Sequence, residues 1–446
     1  MSHVFHRGGG TAPPLAVSAS GMRIVDKAGQ SFLDASGGAA VSCIGHGEPR
    51  VVEAIRAQAA QLDYVHSSVF TSAPAEALAE RICASTPLPI EKVYLVGSGS
   101  EAVETAVKMA RSYHLARGEA GRHHVIARRQ SYHGNTLGAL ARGGSEARRQ
   151  PYLPMMTETP RAAPCFAFHE KSTDESEEDY ALRAADTLEA EILRLGPETV
   201  SAFLAETVVG ATTGAVPPSP GYFARIREIC NRYGVLLILD EVMCGTWRTG
   251  SFLACEMECI CPDIVTLAKG LGGGYQPIGA AVCTGEIHDA FAEGTHGFVH
   301  GHTYMAHPIA CAAALAVQDV IAADGLAEMV NAAGSKLRQA LEARFGNTAE
   351  VGDVRGRGLL QTIELLEDPS RKAPFASTLN ISGRIEEACR KHGLLVYPGR
   401  GTVDGQRGDH ILLAPPYNVT IAEVAEIVDR LGRAVDETLY ALRSND

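Results

Sequence analysis

Short apolar segments alternate with helical segments in the middle of the chain, and this alternation most constrains the fold. Ala202–Ala205, Val235–Leu239 and Ile264–Ala268 are almost entirely apolar, as strands buried on both faces are. Between the first two lies Tyr222–Tyr233, which has the apolar spacing of a helix. Strands and helices that alternate in this way predict a mostly parallel sheet covered by helices on both faces. The chain is therefore expected to have an α/β fold.

Side chains capable of chemistry stand where five of the predicted strands end. These residues are Ser98, Tyr132, Glu206, Asp240 and Lys269. In open parallel sheets, ligands bind outside the carboxyl ends of the strands. Five unrelated packing residues would not be expected to share one edge of a sheet, so the coincidence predicts a ligand site there.

Lys269 follows the last of these strands and precedes a glycine-rich turn, Gly270–Gly274. Glycines allow the backbone to turn sharply and to approach a ligand closely. A lysine set against apolar walls loses its ammonium form more easily and becomes a usable amine nucleophile. The alternative is a lysine whose amine extends into solvent, and this stretch alone leaves both interpretations open.

A glycine-serine turn, Gly97–Ser100, separates the strand Lys92–Val96 from a helix. Ser98 and Glu101 have the spacing of a capping box at the start of that helix. Free amide N–H groups and the positive end of the helix dipole favour phosphate at such a turn. Many turns of this kind bind nothing, so packing remains the alternative. A dinucleotide site is disfavoured because the full G-x-G-x-x-G pattern is missing.

Tyr132 and His133 follow the short strand Val125–Ala127. An aromatic ring and an imidazole at a strand end suit stacking on a planar ligand and hydrogen bonding to it. Ordinary loop packing is the alternative for both residues. Phe70 lies in a loop-like segment and is a further candidate, either for packing or for contact with a substrate.

The net charge and the cysteine content limit which cellular compartment and which partners the protein is expected to have. The 446-residue chain has a formal charge of −12, which argues against nucleic acid or an anionic membrane as its main partner. Eleven scattered cysteines suit reduced, buried thiols. The N-terminal segment has no apolar core of a signal peptide, and no apolar run reaches the about 20 residues that span a bilayer. We therefore expect a cytoplasmic protein.

No metal site is expected from the sequence. The three cysteines within Cys255–Cys261 lack the paired Cys-x-x-Cys spacing of zinc sites. Three histidines lie within His300–His307, but no nearby carboxylate completes a set of ligands.

An amine nucleophile, a carboxylate, a stacking aromatic and a phosphate cradle together suit pyridoxal phosphate (PLP). A lysine forms a Schiff base with the PLP aldehyde. An aspartate keeps the pyridine nitrogen protonated, so that the ring accepts electrons from a substrate carbanion. Lys269 and Asp240 are the residues of this sequence that fit the two roles.

With these residues assembled, the chain resembles the class III (ω-)aminotransferases of the fold-type I PLP enzymes, from about Gly21 to its end. The matching motifs are GSGSEA at 97–102, SYHG at 131–134, LILDEVMCGTWRTG at 237–250, DIVTLAKGLGGGYQPIGA at 263–280 and GHTYMAHPIACAAALA at 301–316. The resemblance implies a large PLP-binding domain over residues 51–330. A smaller α+β domain would comprise residues 1–50 and 331–446.

The resemblance also implies roles for the matching residues. Lys269 would form the Schiff base and shuttle the proton, and Asp240 would contact the pyridine nitrogen. The other cofactor contacts would come from Ser98, Gly99 and Ser100 at the phosphate, from Val242 and Tyr132 on the two faces of the ring, and from His133 and Glu206. Thr303 would reach the phosphate of the neighbouring subunit's cofactor, which implies a homodimer with shared active sites.

The implied reaction is ping-pong transamination. An ω-amine or ω-amino acid would give its amino group to a 2-oxo acid, pyruvate or 2-oxoglutarate, with pyridoxamine phosphate as the intermediate form of the cofactor. An aminomutase, a racemase or a decarboxylating transaminase of the same fold is the alternative. A non-catalytic or nucleotide-binding protein is a third hypothesis, and the intact lysine, aspartate and phosphate set argues against it.

The sequence departs from the family pattern near the predicted substrate site. Many relatives carry a mobile arginine at the position of Tyr397, and an insertion-like loop follows it here. Arg400 or Arg407 in that loop would replace the arginine as the anchor of a substrate carboxylate, or would lie in solvent. Trp247, the single tryptophan, either narrows the mouth of the pocket or packs internally.

Overall fold

The computed structural model of the chain describes residues 2–7, 12–293 and 297–444, so part of the N-terminal segment considered above lies outside the described residues. The strands are β1 (Ala16–Ser20), β2 (Arg23–Asp26), β3 (Ser31–Asp34), β4 (Ile90–Val96), β5 (His124–Arg128), β6 (Arg161–Ala162), β7 (Val200–Glu206), β8 (Leu236–Asp240), β9 (Ile264–Leu267), β10 (Gly279–Thr284), β11 (Val351–Arg357), β12 (Leu360–Leu365), β13 (Leu394–Leu395), β14 (Tyr397–Arg400) and β15 (Asp409–Leu413). The helices are α1 (Gly37–Ala40), α2 (Pro49–Gln61), α3 (Ala73–Ala84), α4 (Gly99–Ala116), α5 (Leu137–Arg142), α6 (Glu146–Arg149), α7 (Ala167–Glu170), α8 (Glu177–Leu195), α9 (Tyr222–Tyr233), α10 (Gly285–Glu293), α11 (Pro308–Ala323), α12 (Leu326–Phe345), α13 (Ile381–Lys391) and α14 (Ile421–Arg443).

A seven-stranded sheet in the order β4-β10-β9-β8-β7-β5-β6 forms the centre of the fold. Strands β5 to β9 pair in parallel, whereas β10 runs antiparallel to both β9 and β4. Residues 268–278 connect β9 to β10 without a crossover helix, so the chain returns in the opposite direction. The predicted, mostly parallel α/β fold is confirmed.

Alternate residues of the central strands pack on opposite faces of the sheet. On one face, Phe203 and Leu237 belong to a hydrophobic cluster that also contains Leu188 of α8, Ile226 of α9 and Cys311 of α11. On the other face, Ala202, Leu204 and Ile238 pack against Val103, Ala106 and Ala110 of α4. Because both faces are covered, the strands contain apolar residues at successive positions, which is the pattern seen in the sequence.

Two four-stranded sheets lie outside this centre, in the orders β1-β2-β3-β13 and β11-β12-β15-β14. Buried residues of both sheets, such as Leu33 and Ile363, share one hydrophobic cluster with residues of α12, α13 and α14. Helix α11 contributes to both clusters: Cys311 and Ala314 pack with the central sheet, and Val317 and Ile321 pack with the second cluster. The domain boundaries given above stay a prediction.

The apolar spacing of the sequence predicts Val52 and Ile421 on the apolar faces of helices, and the acidic run Glu170–Asp179, which has no apolar period, as one solvated loop. The structure corrects these three local predictions. The buried face of α2 contains Val51, whereas Val52 is 36% exposed, because the face that packs on α11 is rotated by one residue. Ile421 of α14 is 75% exposed because it occupies the first turn of the helix. The acidic run Glu170–Asp179 is not one loop, since α7 ends at its first residue and α8 begins within it. Acidic residues at a helix N-terminus are stabilised by the helix dipole.

Among the described helices, none is by itself long and apolar enough to cross a membrane. The pair α11 and α12 meets the length and composition of a span only jointly, across a bend of 70°.

A buried ionic network joins the β11–β12 hairpin to the region around the central sheet. Glu364 on β12 accepts a hydrogen bond from Arg355 Nη1 at 2.6 Å, and His169 Nε2 lies 2.6 Å from its other oxygen. Arg355 also donates to the carbonyl of Gly214 at 2.7 Å. Burial raises the pKa of Glu364, but the charge of Arg355 and the bond to His169 outweigh it, so this pKa lies below its usual value.

We expect Glu364→Gln to destabilise the fold by about 2 kcal/mol at neutral pH, because it removes the buried counterion of Arg355 and leaves the partly exposed Asp353, 2.9 Å from Arg355 Nη1, to neutralise that charge. Since the folded-state pKa is depressed, the stabilisation is lost as the pH falls through it, and the difference from the parent should shrink in acid. Urea unfolding across this pH range measures both effects. Glu342→Gln, which breaks the exposed pair with Arg338, is the control and should cost about 1 kcal/mol or less. Equal losses for the two variants would contradict the expectation.

Candidate active site

A cavity of about 410 Å³ lies at the carboxyl edge of the central sheet. Nine of the predicted cofactor residues line it, namely Ser98, Gly99, Ser100, Tyr132, His133, Glu206, Asp240, Val242 and Lys269. They come from the ends of β4, β5, β7, β8 and β9, five strands that run in the same direction. The parallel arrangement therefore brings together residues that lie far apart in the sequence, from Ser98 to Lys269.

The turn before α4 forms an anion cradle. Ser98 is the N-cap residue, and its Oγ accepts a hydrogen bond from the amide of Glu101 at 3.2 Å. The Glu101 carboxylate accepts from the amide of Gly97 at 2.7 Å, so this capping box reaches one residue further back than predicted. The amides of Gly99 and Ser100 belong to the first helical turn and have no intrahelical acceptor, which leaves them available to an anion.

Two glycines keep this cradle open. A Cβ on Gly99 would lie 2.9 Å from Val242 Cγ1, closer than carbon atoms pack. A Cβ on Gly134 would lie 2.5 Å from Ser100 Oγ, and the φ of Gly134 is +133°. The same hydroxyl of Ser100 accepts from the amide of Asn135 at 3.0 Å. Backbone segments therefore meet here at a distance that only glycine allows.

A buried aspartate–histidine pair lies at the end of β8. Asp240 Oδ2 is 2.8 Å from His133 Nδ1, and Asp240 Oδ1 accepts from Thr266 Oγ1 and from the amide of Val242, each at 3.1 Å. Both members of the pair are almost fully buried. His133 Nε2 is buried and has no hydrogen-bond partner within the described residues. The oriented carboxylate suits a protonated ring nitrogen of a bound ligand.

Glu206 fixes the loop that carries Tyr132. Its carboxylate accepts from the amide of Tyr132 at 3.0 Å and from the amide of Gly210 at 2.9 Å. Burial raises the pKa of Glu206, against the opposing effect of His133. The ring of Tyr132 is half-buried and lines the cavity.

Lys269 lies where β9 turns into the glycine-rich segment. Its φ is +46°, in the left-handed region that favours glycine, and its carbonyl accepts from the amide of Gly273 at 3.0 Å. Desolvation lowers the pKa of Lys269, and the charges of Asp240 and Glu206 oppose this shift. The amine therefore loses its proton more easily than an ordinary lysine does. Backbone strain of this kind concentrates at functional sites.

The remaining predicted residues do not line the cavity. Thr303 is exposed, and its carbonyl accepts from the hydroxyl of Tyr64 at 3.1 Å. Phe70 is 64% exposed. Trp247 packs against Phe252, with ring centroids 5.6 Å apart, so the structure favours internal packing over a narrowed mouth.

The residues at and after Tyr397 also lie outside the lining. Tyr397 packs against the cluster that contains Leu360 and Leu412. Arg400 is exposed and donates to the carbonyl of Ser377 at 2.8 Å. Arg407 is exposed and forms an ion pair with Asp404 of the same loop at 2.6 Å. Neither arginine lines the cavity, and both make their contacts outside it.

Several residues of the cavity wall were not predicted, including Val41, Ala211, Met243 and Gln276–Ile278. Gln276–Ile278 belong to the motif GYQPIG, and their closeness to Lys269 in the sequence is a signal that could have predicted their place at the cavity. Val41 follows α1, a turn whose four residues all have positive φ. Nothing in its local pattern indicated a place at the cavity.

Within the described ranges, no group of three or more histidine, cysteine, aspartate or glutamate residues could hold a metal ion. His300 instead lies 2.9 Å from the hydroxyl of Thr105 and stacks on Tyr94.

A sequence model of the family "Aminotransferase class-III" matches residues 5–435. The chain belongs to the class III aminotransferases. It is therefore a PLP-dependent transaminase, and the resemblance described above is confirmed. Enzymes of this family have the fold-type I architecture that the structure shows.

Relatives of the chain match it over almost its whole length. An uncharacterized aminotransferase of Schizosaccharomyces pombe is 43% identical over 99% of this chain and 96% of its own. A diaminobutyrate–2-oxoglutarate transaminase of Halomonas elongata is 35% identical over 97% of this chain and 92% of its own. The solved ω-transaminase of Pseudomonas jessenii, in complex with pyridoxamine phosphate, has a TM-score of 0.91 and 30% identity over 97% of this chain and 94% of its own.

We expect Gly134→Ala to weaken PLP binding about tenfold or more, because the new methyl group would push the loop away from the anion cradle at Ser100. Titration of the cofactor-free protein with PLP, followed by absorbance, measures the affinity. Gly118→Ala is the matched control, since Gly118 also has a positive φ, +77°, but nothing lies within 4 Å of its Cβ position. A similar loss of affinity in both variants would attribute the effect to backbone strain and contradict the steric explanation.

Proposed function

We propose that this aminotransferase transfers an amino group from an ω-amine or ω-amino acid to a 2-oxo acid, pyruvate or 2-oxoglutarate, by a ping-pong mechanism. The observation that carries the proposal is the convergence of Lys269, the Asp240–His133 pair and the Ser98–Ser100 cradle on one cavity. In the net reaction, the donor becomes an aldehyde or ketone, and the 2-oxo acid becomes an amino acid.

The donor groups of the cavity fit PLP. We propose that Ser98, Gly99 and Ser100 bind its phosphate through amide and hydroxyl donors at the start of α4. Asp240 would accept a hydrogen bond from the pyridine nitrogen, and His133 and Glu206 would support that carboxylate and the loop of Tyr132. Val242 and Tyr132 both line the cavity and would pack on the two faces of the flat ring.

Lys269 would perform the proton transfers. When bound, PLP supplies the aldehyde that takes the amino group and a ring that takes up the electron pair released at the donor carbon. Nζ of Lys269, more easily deprotonated because burial lowers its pKa, would take up the proton released at the donor carbon and give it up again later in the same half-reaction. The buried walls would exclude water from this step.

Relatives support the substrate class. The transaminase of Halomonas elongata acts on diaminobutyrate and 2-oxoglutarate by its name, and the Pseudomonas jessenii enzyme is named an ω-transaminase. A donor with its amine remote from a carboxylate and a 2-oxo acid acceptor are therefore the first substrates to test.

We further propose a homodimer in which Thr303 of the partner subunit reaches the cofactor phosphate. Val299 and Tyr304 are exposed apolar side chains close to Thr303 in the sequence, and Phe70 is exposed in the segment that follows Tyr64, whose hydroxyl donates to the carbonyl of Thr303. An isolated subunit would leave these three side chains in water. The cytoplasm remains the proposed location, supported by eleven cysteines that are all free of disulfides.

We expect Lys269→Ala to abolish covalent attachment of PLP and to lower the transamination rate by about 10²–10⁴-fold or more, because the proton carrier is lost. Borohydride reduction followed by mass spectrometry detects attachment in the parent protein. Lys92→Ala, at an edge strand remote from the cavity lining, is the control and should retain both properties.

The half-reaction separates this proposal from its alternatives. Incubation with an ω-amine and no acceptor should consume the visible absorbance of the bound cofactor and release stoichiometric oxo product. A later addition of pyruvate or 2-oxoglutarate should restore the absorbance. Racemised, rearranged or decarboxylated donor with persistent absorbance would reject the proposed function in favour of another PLP reaction.

A further inference from the structure

Among the described residues of the cavity lining, no cationic side chain is free to bind the carboxylate of a 2-oxo acid. Every 2-oxo acid carries a carboxylate next to its carbonyl, and a carboxylate that leaves water needs a cation or several donors. Lys269 is the one cationic side chain that lines the cavity within the described residues, and the proposed reaction already uses its amine. If the proposed function holds, a second cation near the cavity has to bind the carboxylate of the acceptor.

Three other arginines, Arg248, Arg400 and Arg407, make their contacts outside the cavity lining. Arg407 is paired with Asp404, and Arg400 donates to a backbone carbonyl away from the cavity. Arg248 is buried, donates to the carbonyls of Leu359 and Pro415, and stacks on Tyr417 with its guanidinium carbon 4.7 Å from the ring centroid. Arg248 Nε and Nη2 have no hydrogen-bond partner within the described residues, but none of these three arginines lines the cavity.

Arg148 differs from them. It is exposed on α6, and its guanidinium carbon lies 5.1 Å from the centroid of the Tyr132 ring, which lines the cavity. The adjacent Arg149 forms an ion pair with Glu146 at 2.6 Å. Arg148 has no carboxylate within ion-pair distance in the part of the chain that the structure describes. It is therefore a cation beside the cavity whose charge is not neutralised.

The charge of Arg148 acts on the polar end of Tyr132. Burial raises the pKa of the Tyr132 phenol, and the positive charges of Arg148 and Arg7 oppose that shift. A negative group placed beside the phenol would be attracted in the same way. Stacking on an aromatic ring also orients the flat guanidinium group, so less rotational freedom is lost when it binds a ligand.

We propose that Arg148 binds the carboxylate of the 2-oxo acid and of amino acid substrates at the cavity mouth, with the Tyr132 ring as its support. The planar guanidinium offers two parallel N–H donors, which match the two oxygens of a carboxylate. A donor amine without a carboxylate makes no such contact. Arg148 therefore determines specificity for acidic substrates and leaves the proton transfer at Lys269 unchanged.

The test compares substrates with and without a carboxylate. We expect Arg148→Gln to raise the KM for pyruvate and 2-oxoglutarate about tenfold or more, because a charged hydrogen-bonding partner is lost. The rate of the half-reaction with a primary amine that has no carboxylate should stay within about twofold of the parent. Arg148→Lys, which keeps the charge but not the planar fork, should recover part of the loss.

A binding measurement tests the same contact without turnover. Glutarate has two carboxylates but neither an amino group nor a keto group, so the enzyme cannot convert it. Isothermal titration calorimetry should give a dissociation constant that Arg148→Gln raises about tenfold or more.

Arg117→Gln is the matched control. Arg117 is also an exposed arginine stacked on a tyrosine, with its guanidinium carbon 5.3 Å from the ring of Tyr113, but Tyr113 does not line the cavity. This variant should leave the KM of the oxo acids and the affinity for glutarate unchanged.

The outcomes separate the two proposals. If the parent protein shows the half-reaction but Arg148→Gln changes neither oxo-acid KM nor glutarate binding, the role of Arg148 is rejected and the proposed function stands. An increase of KM in Arg400→Gln or Arg407→Gln, without one in Arg148→Gln, would assign the contact to the loop after Tyr397. If the parent shows no half-reaction with any amine, the proposed function itself fails.

Discussion

Parallel pairing of the central strands is the constraint on which the site depends. Because β5, β7, β8 and β9 point the same way, the residues that follow them must meet at one edge of the sheet. The antiparallel β10 adds to this arrangement, since the segment that links it to β9 contains Lys269, and Gly279 at the start of β10 lies against the turn at Ser98. The amine, the Asp240–His133 pair and the anion cradle are therefore consequences of strand direction.

The buried polar groups at this edge also hold one another in place. Asp240 forms hydrogen bonds with His133, Thr266 and the backbone amide of Val242, and Glu206 accepts one from the backbone amide of Tyr132. A buried carboxylate without such partners would be costly, so these bonds fix one arrangement before any ligand arrives. Preorganised dipoles of this kind lower the cost of reaching a charged transition state.

The sequence allowed the fold and most of the cavity lining to be predicted, for a physical reason. Continuous apolar strands and the residues that end them are local features, and strand direction converts them into spatial neighbours. Trp247, Val52 and Arg148 were not predictable in this way. Their surroundings depend on which element packs against them, as with Trp247 on Phe252 and Arg148 on Tyr132, and a single sequence does not contain that pairing.

The backbone at Lys269 has a wider consequence. A lysine with a φ of +46° adopts a conformation that glycine would adopt at lower free energy, by about 1 kcal/mol. Local preference and global fold therefore disagree at Lys269, as they also do at other non-glycine residues with a positive φ, such as Ala39, Gln130 and Thr246. Such a conflict is a form of local frustration. It implies that selection for stability alone would replace the side chain that the chemistry needs, and that the rest of the fold is stable enough to retain it.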